Sequence, residues 1–191
     1  MAGESSAAAR SFAAGIAAEA GTPLAVPNAI AAVDGLPDWR DLATALVSQF
    51  EGCAQRGHDG LIRPYLDRYA KPNVWTRGFG RTYGIDEGSE GQTVEQCKAE
   101  LRVGLDAYAL KVLKLAPILA QKPLCLAAVV SWAWNCGVGA FQHSRLRTAI
   151  NERRWPDAAE YILKPRTAGG TELRGLARRR DAEAALFVKG I

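Results

Sequence analysis

The sequence predicts an α+β fold, mostly helical, with a single small β-hairpin, and three stretches carry that prediction. Trp39, Leu42, Ala43, Leu46, Val47 and Phe50 recur at the spacing of one helical face. Leu124–Trp134 is apolar nearly all round, as a helix in the middle of a core is. Between them, Val74–Gly84 mixes β-branched and aromatic residues with Gly78, Gly80 and Gly84, the composition of a short, strongly turned hairpin or small sheet. With 191 residues and 48% apolar content, the chain can bury one good core, or two small lobes sharing a helix.

Residues 1–36 are Ala-rich and broken by Gly21, Pro23, Pro27 and Gly35, which sets them apart as an N-terminal arm from a domain over 37–191. A short helix is expected over Ser6–Glu19. No secretory signal is read there, because Glu4 precedes Arg10 and no leucine-rich run follows. Ala13–Val33 holds Glu19 and two prolines, a poor membrane span, so the arm serves either as an export segment or as packing.

From Asp38 the apolar face runs to Phe50, and Gly52 supplies the stop. Glu51 therefore falls at a helix C-terminus. The negative end of the helix dipole and partial burial both disfavour its ionised form, which suits a proton donor, although an ordinary last-turn Glu is the plainer reading. In the hairpin, Asp67 and Thr76 fall on facing arms, where a carboxylate and a hydroxyl can jointly hold one water. An exposed turn Asp and a strand-forming Thr are the plainer reading there.

Gly84–Gly91 is a polar, acidic loop. Thr93-Val94-Glu95-Gln96 has the form of a capping box, so a long helix is expected to about Ala116, stopped by Pro117. Pro123 opens the core helix, which ends by Gly137 and Gly139. Short helices are expected over Ser144–Asn151, Asp157–Leu163 and Leu173–Val188, the last burying Leu176, Ala177, Ala184, Leu186 and Phe187. Its Arg178–Arg180 run is by default solvated. A cation beside Glu51 is the functional alternative, and it opposes the effects that favour a protonated Glu51.

The net charge of +4 and pI near 9.0 are modestly basic, and Arg178–Arg180 is the single dense cluster. That excludes nucleic acid as the expected partner and favours an acidic polymer. Cys53, Cys97, Cys125 and Cys136 have no metal-ligand spacing, and His58 and His143 do not supply it, so neither zinc nor another cofactor is expected. Cys125 and Cys136 read as buried thiols, whereas a disulfide from Cys53 would constrain the helix end at Glu51.

Glu51-Gly52, Tyr65-x-Asp67 and Trp75-Thr76-x-Gly78-Phe79-Gly80-Arg81-Thr82 together resemble the signature of the phage-type lysozymes (muramidases, endolysins). The C-terminal half agrees: Ser131-Trp132-Ala133-Trp134-Asn135-Cys136-Gly137-Val138-Gly139-Ala140-Phe141, then Ser144, then Arg154-Trp155-Pro156-Asp157-Ala158-Ala159, then Ala168-Gly169-Gly170 with Gly175-Leu176 and Arg179-Arg180. The resemblance covers roughly residues 42–190 in the family's order. Departures are a longer Glu51-to-Asp67 interval, with Cys53–Gly60 as an insertion, a longer Asp67-to-Thr76 interval, and Arg81 where the family carries His.

The resemblance implies a lysozyme-like fold, with a small β-hairpin lobe and a larger helical lobe joined by the long helix. It implies hydrolysis of the β-1,4 bond between N-acetylmuramic acid and N-acetylglucosamine in peptidoglycan. Glu51 would protonate the leaving oxygen, and Asp67 with Thr76 would activate water for attack with inversion, across a carboxyl separation of about 6.5–9.5 Å. Tyr65, Trp75, Phe79, Trp134, Ser144 and Tyr161 would contact sugar by family position. No metal or cofactor is implied. The partners are peptidoglycan glycan strands, with no nucleic acid, a membrane at most through the N-terminal segment, and a monomeric enzyme held in the host cytoplasm before it acts in the periplasm and cell wall. A lytic transglycosylase, or a non-catalytic wall-binding or virion protein, are the competing expectations.

Overall fold

The computed structural model describes residues 38–51, 57–67, 72–164, 167–168, 171–172 and 174–191. The N-terminal arm with its expected Ser6–Glu19 helix, and Cys53, lie outside those residues.

Helix α1 (Trp39–Phe50) begins where the sequence places it. The Asp38 carboxylate accepts the Arg40 amide at 3.0 Å as an N-cap, and Trp39, Ala43 and Val47 form the buried stripe. Strands β1 (Tyr65–Asp67) and β2 (Val74–Thr76) pair antiparallel with Tyr65 opposite Thr76, Leu66 opposite Trp75 and Asp67 opposite Val74. Beyond β2 the chain turns back through Gly78-Phe79-Gly80, closed by a two-way amide–carbonyl pair between Arg77 and Arg81 at 2.9 and 3.1 Å.

Gly78 is held in that turn for two reasons. Its φ is +61°, and a Cβ built there would lie 2.9 Å from both Cβ and Sγ of Cys97. Gly78→Ala is therefore expected to destabilise the protein by roughly 2–3 kcal/mol, the left-handed backbone and the clash adding together. Gly80→Ala, where φ is +96° but no atom lies within 4 Å of the added carbon, should cost less. Urea denaturation midpoints measure both, and equal costs would show that Cys97 does not matter.

The long helix α2 (Val94–Leu115) carries the expected capping box, with Thr93 and Gln96 exchanging side chain–backbone hydrogen bonds at 2.8 and 3.1 Å. Cys97, Leu101, Leu105, Tyr108 and Val112 are its buried row. It joins the hairpin to the helical part. Glu100 accepts Arg77 Nη2 at 3.0 Å and Gln92 Nε2 at 2.8 Å and pairs with Arg81 Nη1 at 3.1 Å, so the Arg that stands at the family's His position ties the turn to the helix. On the other side, Arg40 Nε reaches Asp106 at 2.7 Å and Arg102 reaches Asp38 at 2.7 Å, fixing α1 along α2.

After a short 3-10 turn at Pro117–Gln121, helix α3 (Pro123–Cys136) runs through the middle, buried without a break from Cys125 to Ala133. It packs on α1, on α2 and on α7 (Arg174–Val188). Helices α4 (Val138–Gln142), α5 (Arg145–Asn151) and α6 (Trp155–Ile162) wrap its end. No element is expected from the sequence between Leu163 and Leu173. The structure has two-residue strands there, β3 (Thr167–Ala168) and β4 (Thr171–Glu172), paired antiparallel with Thr167 opposite Glu172 and Ala168 opposite Thr171.

The expectation that fails most clearly concerns α7. Leu176, Ala177 and Leu186 are only half-buried, whereas Arg179 and Arg180 are 3% and 0% exposed. Only Arg178 of the run faces solvent. The reason is charge pairing: Glu51 and Glu183 meet the two guanidiniums in the interior.

Candidate active site

Glu51 caps the C-terminus of α1, donating its own amide to the Val47 carbonyl at 2.9 Å, and is 7% exposed. The carboxyl thus stands at the buried C-terminal end of the helix. Acting for the charge is Arg179, whose Nη1 donates to Glu51 Oε1 at 2.7 Å. Of the two sequence readings for the arginine run, the cation beside Glu51 is thus the one realised, by Arg179. The Tyr108 phenol stands nearby, and burial followed by the Glu51 charge pushes it up to about 12, so it keeps its proton at neutral pH.

Strand alternation arranges the hairpin residues. Directly opposed residues share a face, and neighbours along a strand alternate. With Tyr65 opposite Thr76 and Asp67 opposite Val74, the side chains of Tyr65, Asp67, Val74 and Thr76 lie on one face, and those of Leu66 and Trp75 on the other. Asp67 and Thr76 are diagonal neighbours there, 3% and 1% exposed. Thr76 Oγ1 is buried with no hydrogen-bond partner. A buried hydroxyl left so costs about 1–3 kcal/mol, so its position has to be maintained by the surrounding fold.

Other expected contact residues are distributed differently. Trp75 is on the hairpin face away from Asp67 and Thr76. Phe79 is 5% exposed and belongs to the core, because the turn that carries it folds against Cys97 of α2. Ser144 is the N-cap of α5: its hydroxyl accepts the Arg147 amide at 3.1 Å and donates to the Phe141 carbonyl at 2.8 Å. The Ser-Arg-Leu start with Leu146, Ala149 and Ile150 behind it was a legible capping signal. Trp134 is half-buried, its ring 4.9 Å from that of Tyr108 and resting on Gly104. Tyr161 is half-buried on α6, with Lys164 Nζ 6.0 Å above its ring.

A groove of about 550 Å³ is lined by Asp41, Thr44, Ala45, Ser48, Gln49, Phe79, Val94 and Lys98, and neither Glu51, Asp67 nor Thr76 borders it. Among the described residues no three His, Cys, Asp or Glu side chains gather as a metal-holding group. Cys97, Cys125 and Cys136 stand outside any disulfide; Cys125 is fully buried and burial pushes it up to about 11, and Cys136 is half-buried and also pushed up by burial.

The pattern described as Phage lysozyme matches residues 48–183, a span that takes in Glu51, the hairpin, α2 to α6 and the buried arginines. The chain belongs to the phage lysozyme family. It is 31% identical to the endolysin of Bacillus phage B103 over 76% of this chain and 52% of that protein. It is 32% identical to the endolysin of Acyrthosiphon pisum secondary endosymbiont phage 1 over 68% of this chain and 89% of that one. The chain spans about half the length of the two Bacillus phage endolysins it matches. Among solved structures it resembles the muramidase domain of SpmX from Asticaccaulis excentricus (TM-score 0.63, 27% identity, 76% of this chain and 94% of that chain). It also resembles the active form of the P1 phage endolysin Lyz (TM-score 0.62, 22% identity, 78% of this chain and 84% of that chain), a likeness of fold.

The expected fold is therefore the one present: a phage lysozyme architecture, mostly helical, with a small two-stranded antiparallel sheet. Sequence reasoning missed Glu183 and Ser131 as companions of the arginines. The signal for Glu183 was available, because it stands four residues after Arg179 and three after Arg180, the spacing at which helical side chains meet.

Proposed function

We propose that this phage lysozyme family member is a peptidoglycan hydrolase of the endolysin type, cleaving the β-1,4 bond between N-acetylmuramic acid and N-acetylglucosamine. Glu51 donates a proton to the leaving glycosidic oxygen, while Asp67 and Thr76 orient a water and Asp67 takes its proton as it attacks with inversion. Two carboxyl groups in unlike surroundings supply acid and base without a cofactor. Tyr65, on the same hairpin face as Asp67, and the half-buried Trp134 and Tyr161 are the candidates for sugar contact.

The observation that carries this reading is the Asp67–Thr76 pair, a buried carboxylate with a partnerless buried hydroxyl diagonal to it on one hairpin face. A transglycosylase, which closes the sugar on its own hydroxyl, has no use for a water-holding pair. The net charge of +4 suits approach to an anionic wall. Relatives from Enterobacteria phages P21 and PA-2, 28% and 30% identical, are SAR-endolysins, and they support action in the periplasm at the cell wall. Among the described residues no helix is long and apolar enough to cross a membrane.

Mass spectrometry of purified sacculi digested with the protein tests the reaction. The expected products are muropeptides ending in free reducing N-acetylmuramic acid. Products lighter by one water, the 1,6-anhydro forms, would instead establish a transglycosylase, and undigested sacculi a wall-binding protein.

A further inference from the structure

The buried end of the site holds four charges, although a proton donor and its cation account for only two. Arg179 gives Nη1 to Glu51 Oε1 at 2.7 Å, Nη2 to the Ser131 carbonyl at 3.1 Å and Nε to Glu183 Oε1 at 3.1 Å. Arg180, fully buried, reaches Glu183 Oε2 and Asn135 Oδ1, with Cys136 Sγ at 3.2 Å and the Trp132 ring 5.7 Å away. Glu183 is 0% exposed and also accepts the Ser131 hydroxyl at 2.7 Å. With both carboxyls ionised, the two arginines and two glutamates sum to zero.

That balance bears on the proton of Glu51. Protonating Glu51 takes the cluster to +1; without Glu183 the same step would go from +1 to +2, in an interior where charges are weakly screened. Among the described residues, three further titratable groups near the cluster leave the sum unchanged at neutral pH. Tyr108 and Cys136 are both pushed up and stay neutral, and Asp181 is exposed on the solvent side of α7.

We propose that Glu183 is a positioning residue for the reaction: by offsetting Arg179 and Arg180 it makes protonation of Glu51 easier than it would be beside two uncompensated guanidiniums, and so sets the alkaline limit of activity. The inference rests on the reading of Glu51 as the acid. Glu183 touches no substrate; it acts through Arg179.

The test is the pH dependence of kcat/KM on sacculi for the full chain and for E183Q, R180Q, E183Q/R180Q, E183D and E51Q, each checked for folding by circular dichroism. Because the acid must be protonated to act, activity falls as pH rises. E183Q is expected to move that alkaline limb to lower pH by roughly one unit, an approximately tenfold loss on the limb, and to leave the acidic limb in place. R180Q should move the alkaline limb upward, the double variant should return it toward the parent, and E183D should keep it. A folded E183Q or R180Q whose limb superimposes on the parent overturns the inference, reducing Glu183 to a structural residue. Should E183Q fail to fold, R180Q and the double variant decide the matter. Activity retained in E51Q would instead overturn the reading of Glu51 itself, whichever way the Glu183 variants behave.

Discussion

Glu51→Gln should lower turnover of peptidoglycan by roughly 10^3-fold while leaving a folded protein that still binds sacculi. Gln keeps the shape of Glu and still offers an oxygen to Arg179 Nη1, which lies 2.7 Å from Glu51 Oε1, so the contact between α1 and α7 survives in outline. What is lost is the proton. A leaving sugar oxygen expelled without protonation is a poor leaving group, and Tyr108, the neighbouring hydroxyl, is pushed up to about 12 and holds its proton too tightly to serve instead. The residual activity should also lose the alkaline limb of its pH profile, since the group that creates the limb is gone. Clearing of permeabilised Gram-negative cells, together with a sacculus pull-down, measures both halves of the expectation. If Glu51→Gln kept more than about a tenth of the parental rate, the proton would have to come from elsewhere and the assignment would fall. Asp67→Asn is the companion change, and it should be nearly as severe, because Thr76 alone holds a water without taking its proton.

The elements that were legible in the sequence are those fixed by neighbours in the chain. The α1 stripe follows from side chains three and four apart, the start of α2 from Thr93 and Gln96, and the limits of α3 from Pro123 and Gly137. The hairpin was legible for the same reason, since alternation and glycines are local, and it put Asp67 and Thr76 on facing arms as the register now has them. What stayed hidden depends on partners far along the chain. Arg179 meets Glu51, 128 residues away, and arginines in general lie at the surface, so a run of three read as solvated. Phe79 was expected at the sugar by its place in the family pattern. Nothing nearby announces that the turn folds onto Cys97 of α2 and buries the ring. Ser144 was expected at the sugar on the same ground. Its capping of α5 is local and was visible in the chain as well.

Arg179→Met is expected to produce the largest loss of stability of any single change considered, about 3–5 kcal/mol, and a melting temperature lower by roughly ten degrees or more. The magnitude comes from what is left behind. Methionine fills much of the space, but Glu51 loses its 2.7 Å partner, the Ser131 carbonyl loses a donor, and Glu183 must share Arg180 alone. Two buried carboxylates then face one guanidinium. An interior of this kind penalises the unmatched negative charge heavily, far more than an exposed pair such as Arg63 with Asp59, about half exposed on each side, would register if broken. The cause can be separated from simple loss of packing by lowering the pH. Protonating a carboxyl removes the unmatched charge from the variant but breaks a matched pair in the parent, so the stability gap between them should narrow as the solution is acidified. Adding Glu183→Gln should act in the same sense: the double variant has one carboxylate for one guanidinium, and should be more stable than the sum of the two single losses allows. Thermal or urea denaturation of the four proteins at neutral and mildly acidic pH decides it. A gap that is constant with pH and strictly additive losses would mean that Arg179 is held for its bulk, and that the buried ion cluster contributes nothing of its own to the fold.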